Sequence, residues 1–168
     1  MGYLHDTHMS QYIPPTAFHC VTGTYSDAAG AVAGTIAKHR AAAASTGVIN
    51  IPIILPSNSS DLKGAYLKSV EVDYECLLAA ATSITASMNK VTRGADGAVA
   101  VVAAVAVTQD LTAATDAADE DQHKLTVTLT TPVWIDNDAE YLLVITAVCG
   151  GTVTLDLLGA VANFTLRL

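Results

Sequence analysis

His5 and His8 stand three residues apart in His-Asp-Thr-His, with His19 farther along. Three imidazoles can ligate zinc or nickel. Nothing in the local sequence supplies the surrounding shell that fixes ring tautomers at such centres, so the stretch reads as a polar arm. Asp116, Asp119, Glu120 and Asp121 offer the oxygen ligands that calcium takes, as do Asp136, Asn137 and Asp138. Neither run has the calcium-loop spacing with its central Gly and final Glu, and both read as solvated loops. Asp73 and Glu75 fall on one face of an extended segment, where paired carboxylates could flank a glycosidic bond; a solvated face explains them as well. His19 and Cys20 are adjacent, so in a strand they point to opposite faces and cannot act as base and nucleophile. There is no G-x-S-x-G nucleophile elbow, no phosphate-binding Gly loop and no dinucleotide fingerprint.

Cys20, Cys76 and Cys149 are odd in number and widely spaced. Each lies in an apolar run and reads as a small buried hydrophobe. A disulfide framework would need an even count, and zinc would need paired spacing. Asn58 and Asn163 open glycosylation sequons, which matter only in a secreted chain. Trp134 is the only tryptophan. It reads as a core or interface plug, or else as a stacking platform for sugar. No catalytic residue, metal or cofactor is expected from these residues, and the chain does not read as an enzyme.

The elements that carry these residues are strands. From Tyr66 to Cys76, Tyr66, Val70, Val72, Tyr74 and Cys76 alternate with Ser69, Glu71, Asp73 and Glu75. Leu125-Thr-Val-Thr-Leu129 repeats the pattern. A period of two buries one set of side chains and wets the other. An all-β antiparallel sandwich, jelly-roll-like, is therefore expected.

Further strands are expected over 18–25, 31–38, 48–55, 82–91, 98–108, 123–131, 140–149, 152–158 and 160–168. Ser26-Asp27 reads as a turn, and 28–45 could instead hold an Ala-rich helix. Pro52 marks an edge or a bulge. Ile84, Ala86 and Met88 should face inward. Residues 56–61, 93–97, 110–122 and 132–138 read as connections, Gly150-Gly151 as a turn and Gly159 as a bend. Two parts follow: an irregular N-terminal arm over 1–17, and one sandwich domain over 18–168. Pro14-Pro15 should stiffen the exit of the arm. Its apolar residues Tyr3, Leu4, Met9, Tyr12 and Ile13, with Pro14 and Pro15, are the candidate interface with a neighbouring subunit.

Composition excludes more than it assigns. Of 168 residues, 51% are hydrophobic but only 5% aromatic. A core of small side chains buries little area per strand, so an oligomer interface, such as that of a homotrimer, should supplement it. The formal net charge is −8, and the eight Lys and Arg form no basic stripe. Nucleic acid is not an expected partner. No apolar run is long enough to span a bilayer as a helix, and the start lacks the pattern of a signal peptide.

Leu67-Lys-Ser-Val-Glu-Val-Asp-Tyr-Glu75, Lys90-Val-Thr92, Gly94-Ala-Asp-Gly97, Leu125 through Asp138 and Gly159-Ala160-Val161 carry a resemblance over about residues 45–168. In strands and turns this part resembles small structural proteins of tailed-phage virions, of the jelly-roll capsid decoration or cement type. The resemblance implies a trimeric, non-catalytic protein on the outer surface of a head, bound to the major capsid protein and made in a host cytoplasm. The Ala-rich segment 28–45 and the acidic loop depart from it. A carbohydrate- or receptor-binding module of a tail or baseplate, or a subunit of a non-viral filament or shell, remain alternatives.

Overall fold

A computed structural model describes residues 6–30, 34–57, 63–79, 81–94, 98, 101–110 and 122–167. Twelve strands run in chain order: β1 Asp6–Ile13, β2 His19–Thr22, β3 Tyr25–Ala29, β4 Ile36–Arg40, β5 Ser45–Ile53, β6 Gly64–Leu77, β7 Ala81–Thr92, β8 Val101–Val105, β9 Val107–Asp110, β10 Gln122–Trp134, β11 Ala139–Cys149 and β12 Thr154–Arg167. One short 3-10 turn, Pro15–Ala17, is the only helix among the described residues. A seven-stranded sheet has the order β3-β4-β12-β6-β10-β9, with β1 also on β12. A five-stranded sheet has the order β2-β5-β11-β7-β8. All pairings are antiparallel. The chain is an all-β sandwich, as the period-two pattern requires.

The core lies between the two inner faces. Leu67, Val70, Val72, Leu125, Val127, Leu155 and Phe164 come from the larger sheet, and Ile49, Ile51, Ile84, Met88, Leu143 and Ile145 from the smaller. Ile84 and Met88 face inward as expected, with Ala86 packed against the same core. Pro52 opposes Leu142, beyond the stretch of β5 that β2 covers, so its missing N–H falls on a free edge.

Several boundaries differ from expectation. Tyr66 is not inward. The pairing of β6 shifts between Ser69 and Leu67 against both neighbours, so the buried phase changes from Leu67 to Val70 and leaves Tyr66 on the outer face. Ser26-Asp27 is strand, not turn. Asp27 opposes Lys38 and pairs with it at 2.6 Å, and the reversal comes later, where Gly30 N–H donates to Thr35 O. The expected strand 31–38 is therefore β4, two residues later at its end. Pro132–Trp134 belongs to β10, because Pro132 sits in the register shift between Thr128 and Val133, where no donor is needed. The expected strand 98–108 is two strands. β8 pairs in the smaller sheet, β9 in the larger, and Ala106 between them accepts from Thr130 N–H. The expected strands 152–158 and 160–168 are one strand, β12 Thr154–Arg167, bulged at Leu158–Gly159. The expected loop at 110–122 falls outside the described residues over 111–121.

The expected irregular arm is, over Asp6–Ile13, a paired strand. Its register runs from Asp6 opposite Arg167 to Ile13 opposite Ala160. Pro14-Pro15 does not hold it away from the sandwich. Ile13, Pro15 and Phe18 are buried, and the two prolines lead the chain from one sheet toward the other. Tyr3 and Leu4 lie outside the described residues. Asp6 accepts two hydrogen bonds from Arg167, at 2.7 and 2.8 Å, which hold its carboxyl below the usual range. A lowered folded-state pKa means this tie is in place above the ordinary carboxylate range and is lost as pH falls through the folded value. Amide exchange should then quicken in β1 before β6 on acidification, and Asp6→Asn should show the same order at neutral pH. Unchanged β1 protection in Asp6→Asn would count against the tie.

Candidate functional site

The outer face of the larger sheet carries the richest set of polar side chains. Ser10 donates to Asn163 Oδ1 at 2.7 Å, and Asn163 Nδ2 donates to Ser69 Oγ at 3.4 Å and to Glu71 Oε1 at 3.3 Å. Lys124 donates to Glu71 at 2.7 Å, which holds its ammonium above the ordinary value. Directly paired residues share a sheet face. These contacts thus cross from β1 over β12 and β6 to β10.

A cleft of about 620 Å³ opens on this face. Beneath it the bulge at Leu158–Gly159 interrupts β12. Gly159 has φ +151°, a backbone state that side chains rarely adopt. A Cβ there would lie 2.6 Å from the Tyr12 ring. The ring therefore rests where a side chain is missing, and its hydroxyl donates to Leu158 O at 3.2 Å. One wall is Tyr12, Pro14, Pro15, Thr16, Gly34, Thr35 and Ile36; the other is Asp73 and Lys124, with His123 at the margin, its ring turned to the inner face beside Tyr74. The first is largely apolar and the second polar. Tyr12 is 57% exposed and Ile36 49%. His123 packs near Tyr74, ring centroids 5.6 Å apart, and its buried Nε2 has no hydrogen-bond partner.

Of the arm residues, Tyr12, Pro14 and Pro15 thus line a cleft, Ile13 enters the core, and Met9 is exposed. Asp73 lines the cleft but Glu75 does not. Glu75 is buried and opposes Asp156, whose carboxylate lies 2.6 Å from His39 Nδ1. The sequence does not announce this cleft, since Tyr12, Asp73 and His123 are far apart in the chain. The one local signal is Gly159, which already reads as a bend.

Trp134 lies at the other end of the same face. Its ring is taken up by Tyr66, centroids 4.6 Å apart, and by the Arg167 guanidinium, 5.2 Å from its centroid. Beside it Lys90 forms an ion pair with Asp136, and Tyr141 donates to Trp134 O at 2.9 Å. Asp136 is thus engaged in a salt bridge. Asp116, Asp119, Glu120 and Asp121 lie outside the described residues, as does His5. His8 neighbours Lys68 Nζ at 3.3 Å, and His19 is exposed on β2. Among the described residues no group of His, Cys, Asp or Glu is placed to hold a metal ion. No helix of these residues is long and apolar enough to cross a membrane.

The cysteines divide. Cys76 and Cys149 are buried, and burial pushes both thiols up. Cys20 is exposed, contrary to the expectation of three buried hydrophobes, because β2 is a short edge strand exposed along its whole length. A thiol reagent should therefore label Cys20 in the native protein, and Cys76 and Cys149 only after denaturation. Equal labelling of all three in native buffer would contradict this burial. Near Cys149, Arg40 is 1% exposed; its Nη2 donates to Ala43 O, Ser45 O and Ser45 Oγ, and Nε and Nη1 have no partner. Burial also pushes the Tyr25 hydroxyl up to about 12, against the pull of the Arg40 charge.

No protein-family model matches this sequence, and no curated protein does. Among solved structures, the chain is similar to part of an arabinose-bound α-L-arabinofuranosidase, with 8% identity and a TM-score of 0.38 over 88% of this chain. It spans about a quarter of that enzyme, 23% of its length. It is also similar to a family 11 carbohydrate-binding module from Clostridium thermocellum, in complex with a β-1,3-1,4-mixed-linked tetrasaccharide. There the identity is 9% and the TM-score 0.35, over 98% of this chain and 89% of that one.

Proposed function

We propose that this chain is a non-catalytic structural protein of a phage-type virion, a capsid decoration protein that acts as a closed oligomer on the outer surface of a head. The observation that carries the reading is the overhang of β1. Every residue from Asp6 to Tyr12 is exposed. By register Met9 shares the inner face with Phe164, yet Met9 is 43% exposed where Phe164 is buried. Among the described residues, the smaller sheet does not reach over β1, and β1 pairs with β12 alone. A strand with one open edge and two uncovered faces is a template for another chain. In a closed oligomer, a homotrimer in this reading, the neighbour covers that edge. The major capsid protein is then the partner of the assembled face.

Sedimentation of the purified chain tests the oligomer. A trimer is expected at micromolar concentration, with a melting temperature that rises with concentration. Removing residues 1–12 should give a monomer that still folds. It should melt lower than the intact chain, because β12 loses a neighbour along half its length. A stable monomer with concentration-independent unfolding would overturn the oligomer. Electron microscopy of particles from the native source tests the rest: the sandwich should stand on the outer shell, and its absence from the particles would overturn the virion role.

A further inference from the structure

We propose that the cleft over Gly159 binds a neutral saccharide, a site that stands apart from the structural role. Two observations converge there. First, the Tyr12 ring is seated on bare backbone and pinned through its hydroxyl to Leu158 O, yet more than half of the residue stays exposed. A fixed, exposed ring suits the C–H face of a pyranose, as amphipathic aromatic side chains suit ligands with one apolar face. Second, the opposite wall is polar. Asp73 brings a carboxylate and Lys124 an ammonium. Lys124 is already paired with Glu71, so an anion would meet Asp73, whereas sugar hydroxyls donate to Asp73 and accept from the remaining N–H groups of Lys124. The volume, about 620 Å³, lies within the range of small-molecule sites.

The site also explains why the bulge lies where it does. Without Gly159 the Tyr12 ring would be lifted off the sheet and the cleft would lose its platform. The Met9 side of β1 remains free for subunit contact, because Met9 and Tyr12 point to opposite faces.

The full chain is applied to an array of neutral and sialylated glycans, and the strongest neutral ligand is titrated by calorimetry. Binding to neutral glycans is expected. Asp73→Ala should weaken it roughly tenfold or more, the usual consequence of losing a charged hydrogen-bond partner. Tyr12→Ala should weaken it as well, while Tyr12→Phe retains most of the affinity. Tyr66→Ala, at the Trp134 end, should leave it unchanged. Circular dichroism melts establish that each variant folds; if Tyr12→Ala does not, Asp73→Ala and Tyr12→Phe decide. No neutral glycan bound, binding to sialylated glycans alone, or affinity that survives Asp73→Ala would overturn the proposal.

Discussion

Leu143→Ala is expected to lower the free energy of unfolding by about 2–5 kcal/mol, toward the upper end of that range. Leu143 is fully buried on β11, the middle strand of the smaller sheet, between Ile51 on β5 and Met88 on β7. The first part of the cost is the lost transfer of the removed atoms from water, and the second is the cavity they leave. A cavity closes only where neighbours can move. Here β11 is paired along nearly its whole length with β5 on one side and β7 on the other. Relaxation would need two ladders to shift together. Val144, the next residue, faces outward and is half-buried. Val144→Ala should cost clearly less. Urea unfolding of both variants measures the difference, and a loss below about 1 kcal/mol at Leu143 would show that the core repacks.

The second large effect is expected at Gly159. Its φ of +151° lies where a side chain is strained, and such backbone strain costs on the order of 1–3 kcal/mol. Gly159→Ala also places a methyl 2.6 Å from the Tyr12 ring. The ring is the exposed end of a side chain and can swing away, so the clash should cost less than the backbone. Pairing Gly159→Ala with Tyr12→Ala separates the two. If strain dominates, the double variant stays as unstable as the sum of the singles. Recovery of most of the lost stability in the double variant would mean that the clash dominates. In either case Gly159→Ala should displace the ring and impair the cleft.

The legible part of this fold is where one face is covered and the other wet. β6, β7 and β11 show their period because the opposing sheet buries alternate residues. Tyr66 misleads because a bulge changes the phase inside one strand, and no local residue type marks the shift. β1 hides for a different reason. Its seven leading residues are exposed on both faces, so burial leaves no alternation in Asp6-Thr-His-Met-Ser-Gln-Tyr12, and its partner lies at the far end of the chain. β8 and β9 read as one strand because the pattern of small apolar residues does not break where the chain changes sheets. The Tyr12–Asp73 cleft is illegible for the same reason as β1: it exists only once β1 and β6 flank the bulge in β12, with β10 beyond β6. Asp73 reads as a surface carboxylate, but nothing in the sequence places it beside Tyr12.

The place of β12 bears on how the protein must be made. The last strand in the sequence is an interior strand of the larger sheet, hydrogen-bonded to β4 and β1 on one side and to β6 on the other. During synthesis, everything up to Cys149 emerges before that position can be filled. Until then β4 and β6 each face an empty slot with an unpaired edge, and β1 has nothing to pair with. A chain released early would carry three sticky borders instead of a smaller stable domain. Completion is thus all or none. A ribosome-stalled fragment ending before Thr154 should be bound by chaperones and digested readily, whereas a chain extended past Arg167 should become resistant in a single step.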